Sequence, residues 1–493
     1  MARFRGSQKE SEDPSLRFLN DDRCRKVHEA TLDLLERTGV WIGQPECLEM
    51  LRGAGARIVD TSPKTGSRYS RRVQFPPYLV EEAIRSAPES ITIYDRRGEV
   101  AMVLRERECY FGCHGDNPDF LDPWTAQRVK MGFEEIEKNT RLIDYLPNVD
   151  WVLSGANCYG FDRRYQDRAC AEAILRNTTK PVVFCSESVE TVGDVVDMAS
   201  AIVGGREKLL SKPYLLCLDE PISPLLHGPE SISRVLACAD MELPLVYVPM
   251  PMAGVSAPST LIGPVLMGNA ESLSGLVIHQ LRRKGAPYVY GALPSTADMT
   301  HGSFNYGAPE LSMMCSAVAD MAHYYGLPVW GTGGCCDSNW MDAQAGVEAA
   351  LSLLSAVLAG ANLIHDLGLF SQGLCIAPGF HLINDEIISM VKRVARGIEV
   401  DEEALCLDLI DAVGPGGNYL THEHTLTHFR QMWRPVVFDR ASMESLGKGD
   451  LLDAGQRAQR RAREIMERHE PEPLSARARE DLAEVTGRWH GEE

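Results

Sequence analysis

Residues 331–368 read GTGGCCDSNWMDAQAGVEAALSLLSAVLAGANLIHDLG, and this stretch decides the fold. It divides into two strand ends, each opening into a polar loop, joined by one long amphipathic helix. Where the strands stop, the chain gathers Gly, Thr, Cys, Asp and Ser, and then His and Asp. In parallel α/β proteins ligands sit at the carboxyl ends of strands, so this is the first place to look for an active site.

Working outward, the same rhythm recurs. Short β-rich runs occur at 108–113 (ECYFGC), 149–156 (VDWVLSGA), 181–187 (PVVFCSE), 213–220 (PYLLCLDE), 244–250 (PLVYVPM), 286–293 (APYVYGAL), 328–334 (PVWGTGG) and 361–368 (ANLIHDLG). A helix-like stretch follows each, at the spacing of a parallel sheet with crossover helices. Eight such units close a (β/α)8 TIM barrel, whereas a doubly wound sheet suits six. Residues 1–105 form an N-terminal α+β extension, with a capped helix at 20–38, a turn-rich basic stretch at 61–72, a Pro-led helix at 76–87 and short strands at ITIYD and EVAMVL. The barrel is expected over 106–400. After it, 401–493 carries a helical extension whose charged helices break at the PEP of 471–473 and present a solvated face.

The bulk numbers set limits. With 50 basic and 69 acidic residues the chain carries −19, which argues against nucleic acid or an anionic membrane as partner. No apolar run approaches the roughly 20 residues of a membrane span, and the first residues lack a signal-peptide core. Fourteen Cys without regular spacing and without a CxxC pair imply free thiols in a reducing cytoplasm. No metal site is expected. His424 and His428 lie four apart, but no carboxylate or Cys stands at a familiar ligand offset, and domain packing is their expected role.

Candidate site residues follow from strand ends. Glu220 beside Asp219, His365 beside Asp366, Asp337 and His114 all fall there. Side chains alternate along a strand, so only one of His365 and Asp366 is expected to face the lumen. Trp330, Trp340, Tyr288, Tyr290, Phe304, Tyr306, Phe370, Met250 and Met252 could supply ring faces and thioethers to an onium group. The glycines of 331–334 and 413–420 lack the offsets of a nucleotide loop and instead permit tight turns or close approach.

GTGG-x2-DS-x3-D-x-QAG, then LAGANLIHDLG, then VGPGGNYL with HTLTHFR, resembles the trimethylamine methyltransferase family over most of the chain, from about residue 20 to the HEPEPL tail. The resemblance implies a (β/α)8 barrel moving a methyl group from an amine to the Co(I) of a separate corrinoid protein. No cofactor is then bound tightly, the corrinoid being presented by the partner. The name-giving enzymes carry pyrrolysine, whereas this chain holds only standard residues. It therefore resembles the branch acting on quaternary amines such as glycine betaine, proline betaine or carnitine. On that reading Gly331, Thr332, Gly333, Gly334 and Asp337 form a rim for the corrin. Tyr290, Trp330, Met250 and Phe370 line an onium pocket. Glu220, His365 or Asp366 orients the substrate, and His301, Asn305 or Tyr306 meets a substrate carboxylate. A homo-oligomer is also expected.

Two rivals remain at this point. One is a lyase or aldolase-like barrel with Glu220 and His365 as acid and base, although no strand end carries a Schiff-base Lys. The other is a non-catalytic onium-binding relative.

Overall fold

The computed structural model describes residues 14–60, 71–442 and 452–490. Most of the basic stretch 61–72 therefore lies outside the described residues. Eight parallel strands close a barrel in chain order: β1 (Tyr110–His114), β2 (Trp151–Ser154), β3 (Val182–Cys185), β4 (Leu215–Asp219), β5 (Leu245–Tyr247), β6 (Tyr288–Gly291), β7 (Val329–Thr332) and β8 (Leu363–Leu367), which pairs back onto β1. All eight runs read from the sequence are these strands. A helix follows each: α1 (Phe133–Tyr145), α2 (Gln166–Arg176), α3 (Val189–Val203), α4 (Pro229–Met241), α5 (Ile262–Arg282), α6 (Pro309–Tyr325), α7 (Ala343–Ala359) and α8 (Pro378–Ala395). The architecture is the anticipated (β/α)8 barrel.

Both faces of these strands are buried, which is why they read as unbroken apolar runs. Tyr110, Trp151, Leu153, Val183, Leu216, Leu218, Val246, Val289, Trp330 and Leu363 fill the lumen. Their neighbours, among them Phe111, Val152, Phe184, Cys217, Tyr247, Tyr290 and Ile364, pack outward against the helices. Two indoles fit inside because two lumen positions have no side chain. A Cβ at Gly112 would overlap the Trp151 ring, and one at Gly291 would lie 2.9 Å from Trp330 Cβ.

The N-terminal end is sealed by a hairpin of Ile91–Tyr94 and Val100–Leu104, whose Ile91, Ile93, Met102 and Leu104 join the lumen core. Asn362, just ahead of β8, ties that end together. Its Oδ1 accepts from Val329 N at 2.8 Å, and its Nδ2 reaches the carbonyls of Arg105, Glu106 and Glu108 at 3.1, 3.2 and 2.9 Å.

The extensions wrap this frame. Helix Asp21–Arg37, capped by Asn20, packs with Pro45–Gly53 and Pro77–Ser86 over α5. That cover explains why 16 of the 21 residues of α5 are buried. At the other terminus, Ala454–Arg468 packs on α8 and α1, and Ala476–His490 on α3. These helices break around PEP as read from the sequence. Their inner faces are not solvated: Ala458, Ala462, Ile465, Met466 and Leu482 are buried. No helix among the described residues is long and apolar enough to cross a membrane.

Candidate active site

The carboxyl ends of the strands open into a cavity roofed by strand-to-helix loops. After β6, Ser295–Asp298 and Ser303–Phe304 form a hairpin that pairs with Met252–Ala253 of the loop after β5. The loops after β8 and β1 build a second small sheet from Leu369–Phe370, Cys375–Ile376, Asp119–Leu121 and Arg128–Lys130. Trp330 forms the cavity floor, its ring 5.2 Å from that of Trp151 and 4.4 Å from the imidazole of His365. Half-buried Met250, Phe304 and Tyr306 close over the same core, the last two rings 4.7 Å apart.

Glu220 follows Leu216 and Leu218 in the strand alternation, so it too turns inward. Protein surrounds it, yet its side chain stays open to water in the cavity. Burial, and then the neighbouring charges of Asp219 and Asp366, push its carboxyl up to about 7. Asp219 points the other way, accepting from Ser231 Oγ at 2.7 Å and pairing with Arg234 Nη2 at 2.5 Å. Its task is to hold α4 against the barrel.

Opposite stands a cluster from three strands. His114 Nε2 of β1 and His365 Nε2 of β8 each lie 3.2 Å from Asp366 Oδ1. Thr332 of β7 donates to Asp366 Oδ2, and His365 Nδ1 lies 2.8 Å from the carbonyl of Gly331. Burial pushes the Asp366 carboxyl up, but His365, His114 and Thr332 outweigh it and hold it below the ordinary carboxylate range. Burial lowers the basicity of His365, with Asp366 in partial opposition. The expectation that only one of His365 and Asp366 faces inward is therefore corrected. Asp366 adopts φ +77° where the β8–β1 register shifts between Ile364 and Leu367, and that break in alternation brings both side chains into one cluster.

Other expectations change as well. Tyr290 points away from the cavity: its hydroxyl donates to Asn269 Oδ1 of α5 at 2.7 Å and its ring packs edge-on against Tyr325. It stands one residue out of phase with the lumen positions. Phe370 is buried in the outer core rather than in the lumen cluster. The glycines of 331–334 do not form an open rim. A Cβ at Gly331 would strike Ala361 just after α7, one at Gly334 would strike Asn384 of α8 and Leu367 of β8, and one at Gly333 would press on Leu353 of α7, so their bareness serves packing against neighbouring elements. Gly333 N and Gly334 N also donate inward, to His365 O and Ser352 Oγ.

Thr332 serves Asp366 instead of a corrin. Asp337 has both oxygens engaged, accepting from Tyr306 N and Gly307 N at 2.8 Å each, and so positions the Tyr306 loop. His301 is exposed at the hairpin tip beside Asp298, and Asn305 donates to Thr296 Oγ1 at 3.2 Å within that hairpin. Of the three residues assigned to a carboxylate, Tyr306 alone joins the cavity core.

Two contributors lacked a role in the sequence reading. His114 was a strand-end candidate and Phe304 one aromatic among many. Position at the end of β1 was the signal for the first, whereas Phe304 depends on a hairpin fold that no local pattern announces. His114, His365 and Asp366 also place three donor atoms within 4.8 Å of one another, a set the sequence reading did not foresee as metal ligands.

Sequence comparison fits this geometry. The profile of the family described as Trimethylamine methyltransferase (MTTB) matches residues 3–492. The chain belongs to this family. Trimethylamine methyltransferase MttB of Desulfitobacterium hafniense (strain DSM 10664 / DCB-2) is 33% identical over 455 residues, 92% of this chain and 90% of the relative. Glycine betaine methyltransferase of D. hafniense (strain Y51) is 28% identical over 466 residues, 94% of each chain. The crystal structure of the Methanosarcina barkeri monomethylamine methyltransferase MtmB superposes with a TM-score of 0.53 at 10% identity, covering 97% of this chain and 89% of that one, and speaks for the fold. Membership makes the chain a methyltransferase, replacing the lyase and non-catalytic readings. Its all-standard sequence fits the family branch without pyrrolysine.

Proposed function

We propose that this enzyme takes a methyl group from a quaternary amine of the glycine betaine, proline betaine or carnitine kind and passes it to the Co(I) of a corrinoid partner in the cytoplasm. The observation that carries the reading is Glu220, a carboxylate open to water inside a cavity walled by Met250, Phe304, Tyr306 and Trp330. Such a site suits a cation without N–H groups: ring faces and thioethers attract the onium, and a single carboxylate supplies charge.

The reaction sets how strong that attraction should be. The substrate cation becomes a neutral tertiary amine, so binding the positive charge too tightly would stabilise the ground state more than the transition state. A carboxylate costly to ionise, backed by polarisable walls, gives moderate binding. The leaving amine needs no proton, which relieves the site of an acid. The chain's own tasks are to bind and orient the N–CH3 group and to exclude water from it.

The partner's Co(I) supplies the nucleophile when docked. The loops after β2, β4, β5, β6, β7 and β8 each carry an exposed apolar side chain: Tyr159, Ile222, Val255, Met299, Trp340 and Leu374. That distribution around the mouth supports docking of a protein partner there.

The test is methylation of the reduced cognate corrinoid protein, followed by its absorbance change. The panel holds glycine betaine, proline betaine, carnitine, choline, tetramethylammonium and trimethylamine. Turnover with a quaternary amine and none with trimethylamine is expected. Turnover with trimethylamine alone, or silence throughout with an active partner, would overturn the proposal.

A further inference from the structure

The His114–Asp366–His365 cluster has more order than orienting a substrate requires. We propose that His114 Nε2, His365 Nε2 and Asp366 Oδ1 bind one divalent first-row transition metal ion, with a remaining coordination position open to the cavity.

Distances carry this first. A tetrahedral ion with bonds of about 2.05 Å sets its ligand atoms about 3.3 Å apart. Both imidazole nitrogens stand 3.2 Å from the same carboxylate oxygen, and the three donor atoms span at most 4.8 Å. Side-chain torsion can close the third edge.

The surroundings fit equally well. Only a protonated Nδ1 can donate to a carbonyl, so the 2.8 Å contact of His365 Nδ1 with Gly331 O leaves Nε2 of the neutral ring as a bare lone pair. That lone pair faces a carboxylate oxygen, a juxtaposition a cation between them would turn from repulsive to favourable. Thr332 takes the other oxygen, Oδ2, leaving Oδ1 as the ligand atom. Two imidazoles and one carboxylate favour a zinc-like ion over magnesium or calcium, which prefer all-oxygen shells.

Charge closes the argument. Asp366 and Glu220 together balance a dication. At the open position the ion would take an oxygen ligand, which on the function proposed above is the carboxylate of a zwitterionic amine. The onium end is then left to Glu220 and the ring walls. The ion's presence does not depend on that reading, and its test needs no turnover.

The full chain, dialysed against chelator, is titrated with Zn2+ by calorimetry and with Co2+ by visible absorption. One saturable equivalent is expected, with ligand-field bands of a four- or five-coordinate Co2+ site. His114→Ala should weaken it on the order of 100-fold, and Asp366→Asn should do the same if the variant folds. A His424→Ala/His428→Ala double variant, which removes a half-buried stacked His pair elsewhere, should keep it. No saturable equivalent in the unaltered chain, or one indifferent to His114→Ala in folded protein, would overturn the proposal whatever the enzyme's substrate.

Discussion

At the N-terminal end of the barrel, Asn362 reaches four backbone groups and the Tyr110 hydroxyl donates to Glu108 at 2.8 Å while accepting from Val103 N. At the other end, some 20 Å of strand and loop away by the rise of a strand, Glu220 stands open to water in the cavity and its carboxyl is driven up to about 7. Both ends are built on the same eight strands and roofed by hairpins. The difference is where polar capacity is spent. One end ties the side chains of Asn362 and Tyr110 into hydrogen bonds and becomes structure. The other leaves capacity for a ligand, at a cost to stability.

The largest effect is expected at the sealed end. Asn362→Ala strands buried Val329 N and takes the Asn362 donor from three carbonyls, of which Arg105 O keeps Glu108 N, which should cost about 2–3 kcal/mol and lower the thermal midpoint by several degrees. Amine affinity of the folded variant should stay near that of the parent. A loss under about 1 kcal/mol would mean that this end is not held by its polar network, and the contrast would fail.

Glu220→Gln should behave in the opposite way. Without its charge, quaternary-amine binding should weaken by about 10- to 100-fold, mostly in KM, because the cation is fully charged only in the ground state. Stability should move the other way. The folded carboxyl titrates at about 7 against an ordinary 4.5, so between those values the folded chain keeps a proton that the unfolded chain has released. The destabilisation is absent below about pH 4.5, grows as pH rises, and is complete above about pH 7. In metal-free, substrate-free protein, Glu220→Gln should raise the thermal midpoint at pH 8 and scarcely change it near pH 4.5. A variant less stable at pH 8 would show that Glu220 is held by a partner.

A smaller effect separates contact from support. Tyr306→Ala removes a wall of the cavity and should weaken onium binding about tenfold. Asp337→Asn can still accept one backbone N–H but turns an amide toward the other, loosening the Tyr306 loop. About a threefold rise in KM with kcat kept is expected. Equal losses in both variants would mean that loop order, and not the ring, does the binding.

The barrel was legible because each strand is a short apolar run ended by polar loop residues, a pattern that survives without knowledge of contacts. Glu220 was picked out by its place at a strand end, and in the structure the alternation of Leu216 and Leu218 turns it inward. His365 and Asp366 were found as a pair, but their convergence was not, because Asp tolerates a left-handed φ without announcing at which position it adopts one. The glycines of 331–334 show the same limit. Bare backbone means close approach, and the sequence did not say that helices α7 and α8 make that approach rather than a ligand.

Tyr290 sharpens the point and gives the smallest expected effect on binding. In a sheet with one wet face, polarity would reveal which residues point inward, but here both faces are apolar and buried, so Tyr288, Val289 and Tyr290 read alike. The phase is set by β6 pairing, Tyr247 with Tyr290 and Gly291 with Trp330, which puts Tyr290 among the helices. Tyr290→Phe removes its hydroxyl from Asn269 and should cost about 1 kcal/mol of stability. Amine affinity and methyl-transfer rate should stay within about twofold of the parent, a factor worth well under 1 kcal/mol. If affinity instead falls tenfold while the thermal midpoint holds, Tyr290 reaches the onium, the register of β6 is reversed, and the floor built on Trp330 must be redrawn.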